Sequence, residues 1–254
     1  MATGILFKGA SLVAVRLRPV FSLPTGQCFH VHGYGERRLP TPGGHVLLVD
    51  FYFGVGSRYA YLAATQLGAL EAETGARFNW LAVDSARLIA AHGHNPFAVP
   101  DGAGQYDWAY RRADAKAWAD LYGVPFREPH GRITLDSDLL SLACTAARRL
   151  GAAEAYARAL FRAVFVDELP TLDYAICVER AAETGLDRAA FADALGDAGT
   201  RAERERVQRE AVGRGAFGVP TFVFGDRLFW GNDRLPLLRH ALLQARRAAP
   251  PPAA

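Results

Sequence analysis

Gly218-Val219-Pro220-Thr221-Phe222-Val223-Phe224-Gly225-Asp226-Arg227-Leu228-Phe229-Trp230-Gly231 is the stretch that decides how this chain folds. Two short runs rich in aromatic and β-branched residues flank Gly225-Asp226, a two-residue hairpin turn in which glycine can take positive φ. Val219-Pro220 stands at the door of the first run. X–Pro is the only common route to a cis peptide, and a cis bond here turns the preceding N–H and C=O outward. The spacing predicts a β-hairpin reached through a cis Val219–Pro220 bond, with the Val219 backbone presented to an extended ligand. An ordinary proline at a strand start fits the same letters.

Working outward, Val46-Leu47-Leu48-Val49-Asp50-Phe51-Tyr52-Phe53 is a nearly continuous apolar run, the pattern of a buried central strand. Gly54-Val55-Gly56-Ser57 breaks it, and helical spacing follows from Tyr59 to Thr74 with a stop at Gly75. Arg77-Phe78-Asn79-Trp80-Leu81-Ala82-Val83 reads as a second strand, so the segment is a βαβ unit with a parallel pair. The chain is then mostly helical, with candidates at 105–121, 139–150, 152–166, 172–183, 188–195 and 200–212. A last helix is expected over 234–247. The order is βαβ, a long helical insertion, then ββα.

Composition excludes several classes. The 254 residues are 50% hydrophobic and 22% charged, which is globular, and a net charge of +3 is too weak and too scattered for a nucleic-acid surface. Arg201 to Arg209 alternates sign and reads as a solvated helix face. No run of 18 apolar residues exists, so no membrane partner is expected. Residues 1–44 are rich in Gly, Pro and Arg, lack a secretory pattern, and read as an extension. Cys28, Cys144 and Cys177 form no C-x-x-C; the last two sit in apolar helical patterns as buried small hydrophobes. The expected compartment is the cytoplasm. His30-x-His32 and His92-x-His94 have no further Cys or His beside them, so no metal is expected.

Ser57 falls where the first strand gives way to its helix. First-turn N–H groups there are unpaired and the helix end is partly positive, which suits an anion. A plain N-cap serine fits equally well.

Phe51-Tyr52-Phe53-Gly54-Val55-Gly56-Ser57-Arg58-Tyr59-Ala60-Tyr61-Leu62-Ala63 resembles the D-F-x-S-P-Y-S-Y-L-A signature of the 2-hydroxychromene-2-carboxylate isomerase family, a relative of kappa-class glutathione transferases and DsbA-like thioredoxin folds. The likeness recurs at Gly93-His94-Asn95-Pro96, over 110–125 and 159–166, and most specifically at 215–235 (G-x-F-G-V-P-T-F…L-F-W-G-x-D-R-L). It covers about residues 46–245. The resemblance implies an α/β thioredoxin-like fold with a long all-helical insertion domain: 45–90 and 214–248 form the thioredoxin-like part and 91–213 the insertion. It implies glutathione as cofactor, a small aromatic substrate and a homodimer.

By the same resemblance, Ser57 is the catalytic residue and hydrogen-bonds the glutathione sulfur. The Val219 backbone, presented by Pro220, pairs with the cysteinyl part, and Asn232 and Asp233 hold the γ-glutamyl end. Asn95, Tyr59, Arg58 and Trp230 meet the substrate, and the substrate lies in an apolar cleft between the two domains that Phe53, Tyr59 and Trp230 either line or, as aromatics at such spacing more often do, back as part of the core. The implied reaction is isomerisation of a conjugated aromatic 2-oxo acid by reversible thiolate addition, bond rotation and elimination. A kappa-type glutathione transferase and a non-catalytic thiol-binding module are the alternatives. A disulfide oxidoreductase is disfavoured, because Ser57-Arg58-Tyr59-Ala60 occupies the C-x-x-C position. The chain departs from the family at Arg58 (for proline), Gly54, Ala91 (for lysine), Ala113 (for arginine) and Asp136-Ser137 (for Asn-Ser). Arg58 there either strengthens the anion site or faces solvent.

Overall fold

A computed structural model describes residues 46–93, 107–128, 135–169 and 171–248. The extension over 1–44, with Cys28, His30 and His32, and the loop carrying His94 and Asn95 lie outside them.

Strand β1 (Leu47–Phe53) pairs in parallel with β2 (Ala76–Ala82), and helix α1 (Arg58–Thr74) crosses between them. This is the βαβ unit read from the apolar runs. Helix α2 (Ser85–Ala90) follows, a short element whose sequence carries too little periodicity to announce it. The insertion supplies α3 (Trp108–Tyr122), α4 (Ser137–Arg149), α5 (Ala153–Phe165), α6 (Tyr174–Glu183), α7 (Arg188–Gly196) and α8 (Ala198–Gly213). The hairpin is β3 (Thr221–Phe224) and β4 (Arg227–Trp230). A 3-10 turn (Asn232–Arg234) then leads into α9 (Leu235–Ala248). Strand order is β2-β1-β3-β4, with β3 antiparallel to both neighbours. The chain is a thioredoxin-like α/β fold with substantial helical content.

Aspartates set most helix starts. Asp84, Asp107, Asp136, Asp173, Asp187 and Asp197 each accept first-turn N–H groups of the helix that follows. Several observed starts differ from the periodicity by two residues or so for that reason: α6 begins at Tyr174, after Asp173, and α8 at Ala198, after Asp197.

Strand alternation divides the core. Phe51, Phe53, Phe78, Trp80 and Phe222 face one side, in a cluster continuous with α1, α4, α5 and α9. Tyr52, Leu81, Val83 and Val223 face the other, packed with Leu88 of α2 and Val207 and Ala211 of α8. Phe51 is the hub of the first layer: its ring stacks on Phe222 (centroids 4.9 Å, 9°) and Phe53 (5.2 Å) and meets the edge of Trp80 (5.0 Å). Phe53, for which cleft and core both fit the spacing, is 1% exposed and belongs to the core layer, where it also meets Phe161 of α5. Cys144 and Cys177 are buried thiols, as their patterns suggest.

The alternating charges of α8 are not all solvated. Arg204 is buried and its Nη2 lies 2.8 Å from Asp138 in the first turn of α4. Helix α8 packs on the sheet and on α4, so even its charged run has an inward side.

Phe222→Ala empties the middle of the aromatic layer at a position with no solvent exposure. The expected loss is about 3–5 kcal/mol of unfolding free energy, read from the urea midpoint at unchanged m-value.

Candidate functional site

The carboxyl ends of parallel strands leave a crevice where ligands commonly bind. Here β1 ends at Phe53 and the chain turns through Gly54-Val55-Gly56 to Ser57. Ser57 is the N-cap of α1: its backbone is extended (φ −89°, ψ 113°) and its Oγ accepts from the Ala60 N–H at 3.2 Å. The N–H groups of Arg58 and Tyr59 have no acceptor among the described residues, so the positive end of a 17-residue helix opens at Ser57.

Strand pairing brings the second half of the site here. Tyr52 stands opposite Thr221, so the residues before Thr221 run past the end of β1. The Val219–Pro220 bond is cis, as read from the Val-Pro-Thr step. The Ser57 hydroxyl lies 3.4 Å from the Val219 carbonyl, across 162 residues of chain. The Val219 N–H has no acceptor among the described residues. Pro220 and Thr221 are anchored behind it: the Pro220 carbonyl accepts from Gly231 N–H at 2.9 Å, and Thr221 Oγ1 donates to the Gly218 carbonyl at 2.7 Å. Gly218 has no room for a side chain, since a Cβ there would lie 2.7 Å from Trp230 Nε1.

Asn232 and Asp233 sit in the 3-10 turn just before α9, and neither side chain caps a helix. Asn232 is 3% exposed, yet its Nδ2 has no hydrogen-bond partner. Its carbonyl accepts a long bond (3.5 Å) from the Tyr122 hydroxyl of α3. A buried amide with an unused donor fits a ligand acceptor such as a carboxylate. Asp233 is partly exposed and pairs with Arg234 at 3.0 Å. Gly231 takes φ +105°, and a Cβ on it would come within 2.3 Å of Asp233 Oδ1, so glycine is required for this carboxylate to occupy its place.

The four residues read as substrate contacts separate. Asn95 lies outside the described residues. Trp230 is 47% exposed, and its ring stands 4.9 Å from that of Phe217, also exposed. Tyr59 donates its hydroxyl to Asp114 Oδ2 at 2.8 Å, and burial together with that bond raises its pKa well above the usual phenol range. Arg58 does not face solvent. It is 4% exposed, with Nη2 2.8 Å from Glu128 Oε1 and its guanidinium 4.3 Å above the Trp108 ring. Burial pushes its pKa down to about 10, against the opposing pull of Glu128.

Phe217, Trp108 and Glu128 escaped the sequence reading. Phe217 lies inside the G-x-F-G-V-P match and was legible as an aromatic two residues before Val219. Trp108 and Glu128 carry no local signal, because what places them is the packing of α3 and the following segment against the start of α1.

The site lacks the cysteine pair that disulfide exchange needs. No cysteine stands at 57–60, and burial holds Cys144 and Cys177 thiols above their usual range, Cys177 at about 11. The residues around Ser57 fit a peptide-like thiol in three ways: a hydroxyl at a helix N-terminus, a free backbone N–H at Val219 and an orphaned amide at Asn232.

Known proteins give this geometry a context. Residues 48–243 match the DSBA-like thioredoxin domain. A 2-hydroxychromene-2-carboxylate isomerase from Pseudomonas sp. (strain C18) is 31% identical over 200 residues, spanning 78% of this chain and 91% of the relative. One from Pseudomonas putida is 32% identical over 199 residues, spanning 77% and 94%. A solved 2-hydroxychromene-2-carboxylate isomerase superposes with a TM-score of 0.67 at 30% identity, covering 79% of this chain and 96% of that one.

Ser57→Ala removes the cap of α1. The expected cost is about 1 kcal/mol in urea unfolding, whereas Ser57→Gly costs a few tenths. A ligand-binding loss common to both variants is then a property of the hydroxyl and not of helix stability.

Proposed function

We propose, from the premise that this chain belongs to the DSBA-like thioredoxin domain family and within it to the 2-hydroxychromene-2-carboxylate isomerases, that it is a glutathione-dependent isomerase of a conjugated aromatic 2-oxo acid. The observation that carries the glutathione reading is the pairing of the Ser57 hydroxyl with the Val219 backbone at the open end of α1. When bound, glutathione supplies a thiol for reversible addition to the conjugated carbon, rotation about the resulting single bond, and elimination.

The chain's own groups do the rest. Ser57 Oγ donates only a long bond, 3.4 Å, to the Val219 carbonyl, and can turn its proton instead toward a sulfur seated beside the two. Its hydroxyl and the unpaired N–H groups of α1 favour negative charge there, so a thiol near pKa 8.5 is held as thiolate near neutrality. Serine cannot trap that sulfur as a mixed disulfide, so the thiol is returned unchanged. The Val219 N–H pairs with the ligand's cysteinyl carbonyl and Asn232 Nδ2 with its γ-glutamyl carboxylate. Asp233, whose carboxylate pairs with Arg234 on the exposed side of the turn, is the acceptor assigned to the ammonium. Trp230 and Phe217 form an exposed aromatic wall beside the thiol on which a planar substrate can lie.

The test is glutathione binding by calorimetry with the thiolate absorbance followed against pH. Wild type is expected to bind with the thiol pKa lowered by about 1–2 units; Ser57→Ala and Ser57→Gly, which keep the helix N–H groups, are expected to raise it part of the way back toward about 8.5. Absence of binding by wild type overturns the glutathione reading.

A further inference from the structure

The start of α1 contains a second group of buried polar atoms without partners. Arg58 follows Ser57 directly, its Cα about 3.8 Å from that of Ser57 across the peptide. Its guanidinium gives Nη2 to Glu128, but Nη1 is buried with no hydrogen-bond acceptor. Glu128 is equally buried, and its other oxygen stands 3.6 Å from Arg112 Nε without forming a hydrogen bond. Three of the buried unpartnered atoms thus belong to one cluster. The rim over it is open: Trp108 is 46% exposed and the Arg112 side chain 43%.

Charge at this spot is not balanced among the described residues. One carboxylate serves two guanidinium groups, Arg58 and Arg112. The two other carboxylates of α3 nearby are committed, Asp114 to the Tyr59 hydroxyl and Asp107 to the Tyr110 N–H. A buried donor left unpaired costs as much as a lost hydrogen bond, and more when it is charged. An acceptor arriving with negative charge satisfies both the geometry and the charge.

We propose that Arg58 is the carboxylate-recognising residue of this site, using Nη1 while Glu128 holds Nη2, with Arg112 assisting at the rim. This rests on the isomerase reading for the identity of the ligand as an aromatic acid. It makes Arg58 specificity-determining for the acid group of the substrate. A planar guanidinium can serve two carboxylates at once, one on each nitrogen, which an ammonium on a flexible stem does less well.

The experiment uses the full chain and two probes that differ only in charge, cinnamate and cinnamamide, titrated by calorimetry without glutathione. Wild type is expected to prefer the acid by about tenfold or more. Arg58→Lys keeps a cation for Glu128 but gives up the second donor nitrogen, so the acid preference is expected to fall by about tenfold, with cinnamamide and glutathione binding unchanged. Arg112→Gln leaves the buried pair intact and reads the same point if Arg58→Lys melts early; an approximately threefold loss on the acid alone is expected there. Equal binding of acid and amide by wild type, as when a water alone fills the space at Nη1, overturns the proposal. So does full retention of the acid preference in a folded Arg58→Lys. Failure of glutathione to bind leaves these comparisons readable and counts only against the isomerase reading.

Discussion

The antiparallel register of β1 against β3, in which Phe51 faces Phe222 and Tyr52 faces Thr221, is the constraint on which the site depends. It is held by a buried aromatic stack, with Phe51 and Phe222 rings nearly parallel at 4.9 Å. A slip of one residue would carry Phe222 to the opposite face of the sheet and Val223 into its place. It would also move Val219 along β1 by about 3.3 Å, out of reach of Ser57. The core contact and the reactive contact are therefore two consequences of one register. This explains why residues 162 apart in sequence meet within hydrogen-bond range with little machinery of their own.

Much of this was legible in the residues. The βαβ unit, the hairpin, the cis Val219–Pro220 bond and the serine cap all follow from local patterns: apolar runs, turn glycines, proline, and a small polar residue before a helix. What was not legible depends on long-range packing. Phe53 fitted a cleft or the core on spacing alone, and contact with Phe161 of α5 puts it in the core. Arg204 looked solvated within an alternating run, but Asp138 of another helix draws it inward. Arg58 looked free to face water, and its burial depends on a glutamate 70 residues away. In each case the missing information was the identity of a partner, and no periodicity encodes that.

A serine at the N-cap of α1 changes the chemistry more than the structure. An oxygen there accepts the Ala60 N–H and stabilises the helix as any good cap does. The positive end of the helix would equally favour a cysteine thiolate, the arrangement disulfide chemistry needs. With serine the favourable field remains without a sulfur of the protein's own at that position. The protein's own described cysteines are sealed where burial suppresses their ionisation, so they do not compete. One atom at one position thus separates this scaffold from a thiol–disulfide exchange centre, and it is what the proposed use of a ligand's thiol rests on.

Arg58 sharpens the same point. A cation in the first turn of a helix stands against the positive end of the dipole, and burial adds a desolvation cost. Both disfavour the charged form, and the fall of its pKa to about 10 reflects the burial. Glu128 offsets part of this cost, but a well-packed apolar pair of similar volume would be as stable or more so. Stability alone is therefore a poor account of the arrangement. An anion that binds here gains from two features that weaken the empty fold: the unpaired donor of Arg58 and the concentration of positive potential at the head of α1. The free energy withheld from folding is then available to an anion, which is what the proposed carboxylate contact of Arg58 requires.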